Sequence, residues 1–505
     1  MNRKIATKEQ MLEIEKKAIE KANTSVSYLM ESAGNAICRE VENAVGNVSG
    51  KKIIILCGNG KNGGDGFSAA RQLFYKGAYT KALFFGEAEN LPEVTKSVYE
   101  RLPKDVAAKE ISYRHIEEAD IIIDAVFGTG FHGALERAFE ELFAAVNNSK
   151  AVKFAVDIPS GIECNTGVLG GKCIKCDYTI TFALPKPCHY LFPAADYCGK
   201  IIVADISIPQ EIIDLQKLDI FLSDMPDIVE RIPSRKRNTH KGDYGRLLEI
   251  CGSEYMTGAA YFCANGALKS GVGLLNMLLP EKILPVMQIK VSEAVFSSYT
   301  NENIKEKLEQ QLEKSNACVF GCGSGQAKTS LEILEYLLKS DIPLVLDADA
   351  LNVASLNKIS LKRSKATVIT PHMAEFSRLT GLSIEEIEKD KIGIVREFCQ
   401  KENVITVLKG AYTIIAEPNG QVCINYLGNS GMAKGGSGDV LAGIIASLLA
   451  QGLDGFDSAL CAAYIHSAAG DSAAQKLSQY SMTPTDIINE LPLIFKAVEL
   501  EKANG

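Results

Sequence analysis

Short runs of apolar residues alternate with amphipathic segments along most of this chain, and polar or glycine-rich stretches separate them. An apolar run bounded by turn residues is typical of a strand that is buried on both faces. Apolar positions three or four residues apart are typical of a helix. Because continuous apolar strands alternate with helices here, we predict an α/β fold with parallel sheets covered on both faces.

The first half of the chain shows this alternation clearly. Thr7–Gln10 is a capping box that predicts a helix through about Ala22, and apolar residues from Leu29 to Val45 predict a second helix. A further helix is expected over residues 67–76. The predicted strands are Ile53–Cys57, Ala82–Phe85, Ile121–Ala125, Val152–Val156, Tyr178–Phe182 and Ile201–Val203. This half is therefore expected to be a doubly wound, Rossmann-like domain.

A polar stretch with prolines, Ser223–Arg237, interrupts the alternation, which then starts again. Such composition is typical of a linker, and 505 residues exceed the size of one hydrophobic core. We expect two domains, residues 1–225 and 226–505. The second is also predicted to be doubly wound, with a buried helix over Val440–Ala450. Its predicted strands are Leu247–Cys251, Ala317–Phe320, Leu344–Asp347, Thr367–Ile369, Val404–Leu408 and Thr413–Ile415.

The composition argues against some classes of binding partner. The net charge is −8 and there is no long basic block, so neither nucleic acid nor an anionic membrane is an expected partner. No apolar run reaches the roughly 18 residues that span a bilayer, and no signal-peptide pattern opens the chain. We therefore expect a cytoplasmic protein, in which the fourteen cysteines are reduced. Cys173 and Cys176 have metal-like spacing, but no second tight pair accompanies them, which favours buried thiols over structural zinc.

Two glycine-rich loops, each with an aspartate, carry the candidate chemistry. The first, Gly58–Gly66, matches the dinucleotide fingerprint and adds Asn62 and Asp65 to it. The second, Gly435–Asp439, precedes the buried helix. Free N–H groups at a helix N-terminus bind anions, and glycine allows close approach and positive φ. Two such loops predict two phosphate-binding active sites.

Three polar groups lie at or just after the carboxyl ends of strands near the first loop: Asp124, Asp157 and Ser160. Ligands bind parallel sheets at this edge. Asn62, Asp124 and Ser160 offer hard oxygen donors suited to a hard cation, which leaves Asp157 as the candidate general acid or base. Each aspartate on its own could equally cap a helix.

Residues 1 to about 220 resemble the NAD(P)H-hydrate epimerase family in Leu29–Gly34, Gly58–Gly66, Asp124–Gly130, Val156–Gly161 and Thr181–Lys186. The family interconverts the R and S epimers of NADH or NADPH hydrated at ring carbon C6, abbreviated NAD(P)HX. The resemblance implies Asp157 as the catalytic group and potassium on Asn62, Asp124 and Ser160. It implies NAD(P)HX contacts from Lys61, Asn62, Gly63, Gly64, Asp65, Gly128, Thr129, Gly130, Phe131, His132, Gly133, Ala134 and Asp157.

Residues from about 235 to 495 resemble the ribokinase-like NAD(P)H-hydrate dehydratase family in His240–Gly245, Leu346–Asn352, Thr370–Glu375 and Gly435–Asp439. The resemblance implies magnesium with ADP, and Asp439 as the catalytic group. The implied NAD(P)HX contacts are Ala259, Gly323, His372 and Asp439. The implied ADP contacts are Lys409, Gly410, Ala411, Tyr412, Thr413 and Gly438. The chain departs from the family at Met373-Ala374, usually Pro-Gly, and at Lys434, usually Thr.

The leading hypothesis is a bifunctional enzyme that epimerises damaged NAD(P)HX and then dehydrates its S form at the expense of ADP, giving AMP and phosphate. NAD(P)HX and ADP are then its small-molecule partners, and we expect a homo-oligomer. One alternative is a ribokinase-like small-molecule kinase with an N-terminal dinucleotide-binding module. A non-catalytic dinucleotide-binding scaffold and a plain Rossmann dehydrogenase are further alternatives. Lys434 could add charge to the phosphate site or face solvent.

Overall fold

A computed structural model describes residues 3–22, 24–108 and 113–504, without the side chains of residues 3 and 113. The chain forms two compact units. The N-terminal unit comprises Lys4–Leu218, and the C-terminal unit begins at Asp219. The sequence places the boundary between residues 225 and 226. The units divide earlier because strand Ile220–Leu222 pairs in parallel with Val422–Asn425 of the second sheet.

After a short strand, β1 (Arg3–Ile5), the N-terminal unit alternates helices and strands. Its strands are β2 (Lys52–Cys57), β3 (Tyr79–Phe84), β4 (Ala107–Ala108), β5 (Ile121–Ala125), β6 (Val152–Val156), β7 (Tyr178–Phe182) and β8 (Lys200–Ala204). Its helices are α1 (Lys8–Lys21), α2 (Val26–Val45), α3 (Lys61–Tyr75), α4 (Glu93–Tyr99), α5 (Tyr113–Glu117), α6 (Arg137–Asn148), α7 (Ala195–Cys198) and α8 (Gln210–Asp214).

The N-terminal sheet is parallel, with the order β4-β3-β2-β5-β6-β7-β8. The central strands are apolar and buried along nearly their whole length, as expected for a sheet with helices on both faces. The order reverses direction between β2 and β5. That switch point opens a crevice at the carboxyl ends of the strands, where ligands bind this kind of sheet. The doubly wound, Rossmann-like fold is confirmed.

The C-terminal unit has a larger, mixed sheet. Its strands are β9 (Ile220–Leu222), β10 (Arg246–Ile250), β11 (Leu274–Pro280), β12 (Val295–Tyr299), β13 (Ala317–Phe320), β14 (Leu344–Leu346), β15 (Thr367–Ile369), β16 (Ile405–Leu408), β17 (Thr413–Ala416) and β18 (Val422–Asn425). They run in the order β9-β18-β17-β16-β15-β14-β13-β10-β11-β12. Only the two pairings of β17 are antiparallel among these. The order reverses between β10 and β13, which sets a second crevice there.

Helices cover the second sheet. They are α9 (Met225–Arg231), α10 (Thr257–Lys269), α11 (Leu284–Lys290), α12 (Ile304–Leu312), α13 (Lys328–Leu337), α14 (Asp349–Leu356), α15 (Met373–Thr380), α16 (Ile384–Lys389), α17 (Lys391–Glu402), α18 (Ser437–Ala450), α19 (Gly455–Leu477) and α20 (Pro484–Asn504). Helix α9 lies inside the stretch expected to be a linker. It forms there because Asp224 caps its N-terminus and Pro226 occupies its first turn.

Helices α10 and α18 cross at very close range. A Cβ on Gly443 of α18 would lie 2.1 Å from the backbone oxygen of Cys263 in α10. A Cβ on Gly266 of α10 would lie 2.5 Å from the backbone oxygen of Val440 in α18. Each glycine faces the other helix, so the two backbones are in contact with no side chain between them. Nearly every residue of α18 is buried, as its apolar sequence predicts.

Among the residues that the structure describes, no helix combines the length and the apolar character needed to cross a membrane.

Candidate active sites

The first glycine loop lies at the switch point between β2 and β5. Helix α3 begins at Lys61, so Asn62 and Asp65 lie in its first turns and not in a loop before residue 67. The glycines of this segment do not have positive φ, contrary to our expectation. They are needed for packing, because a Cβ on Gly63 would lie 1.9 Å from the backbone oxygen of Gly58. A Cβ on Gly66 would lie 2.7 Å from the Ala125 side chain.

A cavity of about 690 Å³ opens over this switch point. Residues from α1 and α2, among them Met11 and Met30, line its other side. The structure brings ten of the predicted site residues together on its wall: Lys61, Asn62, Asp65, Gly128, Thr129, Gly130, Phe131, His132, Ala134 and Asp157. Gly63, Gly64 and Gly133 do not line the cavity. The volume suits a nucleotide-sized ligand.

Asp157, directly after β6, is held in the left-handed region with a φ of 67°. Its Oδ1 accepts hydrogen bonds from Lys186 Nζ at 2.5 Å and from Thr181 Oγ1 at 2.8 Å. Lys186 also donates to Thr181 Oγ1 at 2.7 Å. Burial alone would raise the pKa of Asp157, but the Lys186 ammonium and these hydrogen bonds hold it below its ordinary value. Asp157 is therefore an ionised carboxylate in the cavity wall.

His189 forms hydrogen bonds with the backbones of both Lys186 and Asp157. The backbone N–H of Lys186 donates to His189 Nδ1 at 3.1 Å, so Nε2 carries the proton and donates to the Asp157 carbonyl oxygen at 2.9 Å. Burial and then the Lys186 charge lower the pKa of His189 to about 4. The ring is therefore neutral at pH 7 and positions the strained backbone of Asp157.

Asp65 differs from Asp157 although both line the same cavity. Burial, and then the negative charge of Asp157, raise the pKa of Asp65 well above its usual range. No described residue gives Asp65 a lysine partner of the kind that Asp157 has in Lys186. Two carboxyl groups whose pKa values are pushed apart are suited to donating and accepting a proton in one reaction.

Of the three residues predicted to hold potassium, Asn62 lines the cavity, whereas Asp124 and Ser160 do not. Ser160 donates to Asp124 through its hydroxyl at 2.5 Å and its backbone N–H at 2.7 Å. Gly128 lies against the Asn62 side chain, because a Cβ there would be 3.1 Å from it. Asn62 Nδ2 is buried without a hydrogen-bond partner among the described residues. Burial raises the pKa of Asp124 to about 6, although the bonds from Ser160 oppose the rise.

The second crevice lies between β10 and β13. The backbone N–H of Gly252, after β10, donates to the Cys322 oxygen, after β13, at 2.8 Å. Gly323 has a φ of 63°, and a Cβ on it would lie 2.7 Å from Ala259 Cβ. The structure thus brings two of the predicted substrate contacts, Ala259 and Gly323, directly together.

The second glycine loop forms the entrance to α18. Gly436 has a φ of 104° and precedes the first helical residue, Ser437, so the N–H groups of the first turn face the crevice. Asp439 lies in this first turn. Burial, and then Cys322 and the charge of Asp347, raise its pKa to about 9, while Lys409 opposes the rise. Asp439 is therefore a strong base once it is deprotonated.

Lys409, at the end of β16, supplies the cation of this site. Its Nζ lies 2.9 Å from Asp347 Oδ1 and 3.2 Å from where a Cβ on Gly438 would lie. Burial would lower the pKa of Lys409, but Asp347 and Glu375 raise it above its ordinary value. Gly410, Ala411 and Tyr412 connect β16 to Thr413 at the start of β17.

His372 lies beside Lys409 on the neighbouring strand end. Its Nδ1 accepts hydrogen bonds from the backbone N–H groups of Ala374 and Glu375 and so caps α15. Half of its side chain remains exposed, at 52%. Its Nε2 lies 3.4 Å from Glu375 Oε1, so the same glutamate that completes the capping box also faces the other ring nitrogen.

Two questions left by the sequence have structural answers. The Lys434 ammonium donates to the backbone oxygens of Tyr480, at 2.7 Å, and Met482, so it ties the second loop to the segment before α20. Cys173 donates to the Gly161 carbonyl oxygen at 3.1 Å, and Cys176 is buried. Neither belongs to a group of metal-ligating side chains within the described part of the chain.

Four functional groups were not assigned from the sequence: Lys186, Thr181, His189 and Asp347. Thr181 and Lys186 lie in a stretch shared with the epimerase family, and Asp347 lies in one shared with the dehydratase family. The sequence therefore contained a signal for Thr181, Lys186 and Asp347. A stretch shared with the family does not show which of its side chains reaches Asp157, because that depends on the pairing of β6 with β7.

Two family profiles match the chain. One, described as YjeF-related protein N-terminus, matches residues 26–188, and one described as NAD(P)H-hydrate dehydratase matches residues 247–493. The bifunctional NAD(P)H-hydrate repair enzyme of Moorella thermoacetica is 35% identical over 94% of this chain and 93% of its own length. That of Thermofilum pendens is 35% identical over 98% of this chain and 97% of its own length.

A solved structure resembles the C-terminal unit. The ADP/ATP-dependent NAD(P)H-hydrate dehydratase of Bacillus subtilis, co-crystallized with ATP/Mg²⁺, is 30% identical and has a TM-score of 0.50. The match covers 55% of this chain and 98% of that structure.

Proposed function

Because the chain belongs to the family of bifunctional NAD(P)H-hydrate repair enzymes, we propose that it restores hydrated nicotinamide cofactors in two steps. The N-terminal unit interconverts the R and S epimers of NAD(P)HX. The C-terminal unit dehydrates the S epimer to NAD(P)H at the expense of ADP, giving AMP and phosphate. The main support for the proposal is that each unit has a site of its own, at the switch point of its own sheet.

Epimerisation requires the C6 hydroxyl to leave and return on the other face of the ring. The ring nitrogen lone pair can expel the hydroxyl if an acid protonates it, and a base must then activate the returning water. Asp157, ionised beside Lys186, serves as the base. The neutral Asp65 carboxyl in the same cavity can supply the proton. Phosphates of the substrate are held by the N-terminal turn of α3.

Potassium fits the oxygens of Asn62, Asp124 and Ser160. Asp124 is 1% exposed and Ser160 is fully buried, and the pKa of Asp124 is raised to about 6 by burial rather than lowered by a cationic neighbour. A monovalent cation there would balance the buried carboxylate and add positive charge beneath the substrate phosphates. Carboxylate, hydroxyl and amide oxygens are the donor types that a hard cation prefers.

Dehydration is difficult because hydroxide is a poor leaving group near neutral pH. Transfer of a phosphoryl group to the C6 hydroxyl makes the departing group phosphate, and the ring nitrogen can then expel it. Asp439 accepts the hydroxyl proton, and the N–H groups around Gly438, together with Lys409, stabilise charge on the transferred phosphoryl. Magnesium would accompany the nucleotide phosphates, and the carboxylates of Asp347 and Asp439 are the oxygen donors beside them.

The test offers a mixture of both epimers of hydrated NADH together with ADP or ATP and follows the return of NADH absorbance. The wild type should convert the whole mixture. Asp157→Ala should stall near the S fraction, because the R epimer then converts only spontaneously. Asp439→Ala should abolish conversion. Normal dehydration by Asp439→Ala would overturn the assignment of the second site.

Asp196→Ala is a matched control, because Asp196 is an exposed aspartate that does not line the cavity. It should behave as the wild type. Detection of AMP and phosphate distinguishes the proposed use of ADP from a kinase reaction, whose product would retain the phosphate. The preference for ADP over ATP and the homo-oligomeric state stay predictions.

A further inference from the structure

Three buried cysteines lie together beneath the second active site. Cys251 follows β10, Cys263 lies in α10 and Cys322 follows β13. Their Sγ atoms all lie within 4.8 Å of one another, and each residue is 1% exposed or less. We call these three residues the thiol cluster. It lies at the switch point of the second sheet, where three separate elements converge.

The spacing suits a metal ion. A thiolate binds zinc at about 2.3 Å, which places the sulfurs of a trigonal site about 4 Å apart. Sulfurs that all lie within 4.8 Å of one another are close to that spacing. Thiolates select soft d10 cations of the zinc type, whereas the magnesium that accompanies a nucleotide prefers oxygen ligands. The thiol cluster is thus chemically distinct from the nucleotide site.

A buried carboxyl group precedes the thiol cluster on β10. Glu249 precedes Cys251 by two positions on β10, so both side chains project from the same face of the sheet. Glu249 is fully buried, and neither of its carboxyl oxygens has a hydrogen-bond partner among the described residues. A buried carboxyl group without a partner is unfavourable. Three thiolates around one divalent ion carry a net charge of −1, so Glu249 must stay protonated while the ion is bound.

Cys322 connects the thiol cluster to the active site. Its Sγ also lies within 4.8 Å of a carboxyl oxygen of Asp347 and one of Asp439. The Cys322 thiol donates a weak hydrogen bond to Asp347 Oδ2 at 3.7 Å. Binding of a metal ion removes the thiol proton and hence this bond. Occupancy of the thiol cluster therefore changes the charge next to the base proposed for the dehydratase.

We propose that Cys251, Cys263 and Cys322 bind one soft divalent d10 cation and that its binding inhibits the dehydratase. Three thiols lose their protons to solvent as three metal–sulfur bonds form, so one ion replaces three protons. Epimerase activity is unaffected, because the thiol cluster belongs to the C-terminal unit. The inhibition rests on the proposed dehydratase activity; the binding of the metal does not.

The experiment titrates the reduced, chelator-washed full chain with Cd²⁺ and follows the ultraviolet absorption of cadmium–thiolate bonds. We expect one tight equivalent for the wild type. Cys251→Ala and Cys263→Ala, which each remove one ligand from a different element, should weaken it by about 100-fold or more. Cys318→Ala is the matched control, because Cys318 is equally buried on β13 but outside the thiol cluster. It should bind cadmium as the wild type does.

X-ray absorption of the cadmium-loaded wild type counts the sulfur ligands without any substitution, so the test holds even if a variant fails to fold. Three sulfurs support the proposal, and fewer than three overturn it. Undiminished cadmium binding by folded Cys251→Ala and Cys263→Ala also overturns it, and shows that the cysteines serve only as core packing. One equivalent of Cd²⁺ should lower dehydratase turnover at least tenfold in the wild type and not in Cys263→Ala. Loss of inhibition with intact three-sulfur binding would reject only the inhibitory part.

Discussion

Lys186 Nζ lies 2.5 Å from Asp157 Oδ1, and the same ammonium donates to the Thr181 hydroxyl. The lysine side chain is 2% exposed and the aspartate side chain is 13% exposed. Charges so little exposed are strongly coupled, because little water screens them. The protonation state of Asp157, and with it the proposed epimerase chemistry, therefore depends on Lys186.

Lys186→Met should lower epimerase turnover by about 100-fold, because it removes the cation that keeps the proposed base, Asp157, ionised and in place. The pKa of Asp157 should rise, so the residual activity should need a higher pH than the wild type does. The measurement is the pH profile of R-to-S conversion, with dehydratase activity on the S epimer as an internal check of folding. An unchanged profile would mean that Lys186 serves only to pack the core.

Ser160→Ala should raise the potassium concentration that half-activates the epimerase by about tenfold, because it removes a proposed potassium ligand and a hydrogen bond to Asp124. The measurement is epimerase rate against potassium at constant ionic strength. Ser149→Ala is the matched control, because among the described residues the Ser149 hydroxyl bonds to the Val146 carbonyl oxygen alone. Equal potassium dependence in both variants would exclude Ser160 as a ligand.

Asp347→Asn should shift the acid limb of the dehydratase profile to lower pH. Asp439 has a raised pKa of about 9, and the charge of Asp347 contributes to the rise. Removal of that charge also frees Lys409, which acts in the same direction, so the base form of Asp439 persists to lower pH. We expect a shift of about one unit in kcat/KM, measured over about pH 6 to 10. A shift toward higher pH would contradict the electrostatic account.

Lys434→Met should destabilise the C-terminal unit by about 1 kcal/mol, because it removes the hydrogen bonds to the Tyr480 and Met482 carbonyl oxygens. Urea unfolding measures this loss, and Lys434→Arg should recover part of it. The KM for ADP should change by less than about threefold. A large rise in KM with unchanged stability would instead assign Lys434 to the phosphates.

The sequence predicts the central strands and the carboxyl-end location of both sites, because buried parallel strands are continuous apolar runs. Strand β12 was missed because Val295–Tyr299 is only partly buried and contains two adjacent serines. Strand β11 was missed as well, although Leu274–Pro280 is largely apolar. The start of α3 was also wrong. Three glycines in its first turns oppose helix formation locally, and packing against Gly58 and Ala125 overrides that preference.

The partners within the sites depend on distances that no spacing along the chain reveals. Lys186 reaches Asp157 because β6 and β7 pair with Val156 opposite Ile180. The cysteines at 251, 263 and 322 meet because the strand order reverses between β10 and β13. Sheet order and register are tertiary properties, so the sequence alone could not show which neighbours lie beside the predicted site residues.

The close crossing of α10 and α18 limits how this enzyme can be engineered. Replacing a helical glycine by alanine normally gains up to about 1 kcal/mol of helix stability. At Gly266 or Gly443 the added methyl group would force the two backbones apart, and α18 carries Asp439 at its first turn. A substitution chosen to improve heat resistance at this crossing would therefore shift Asp439, the proposed base, so thermostability and turnover are not independent design variables here.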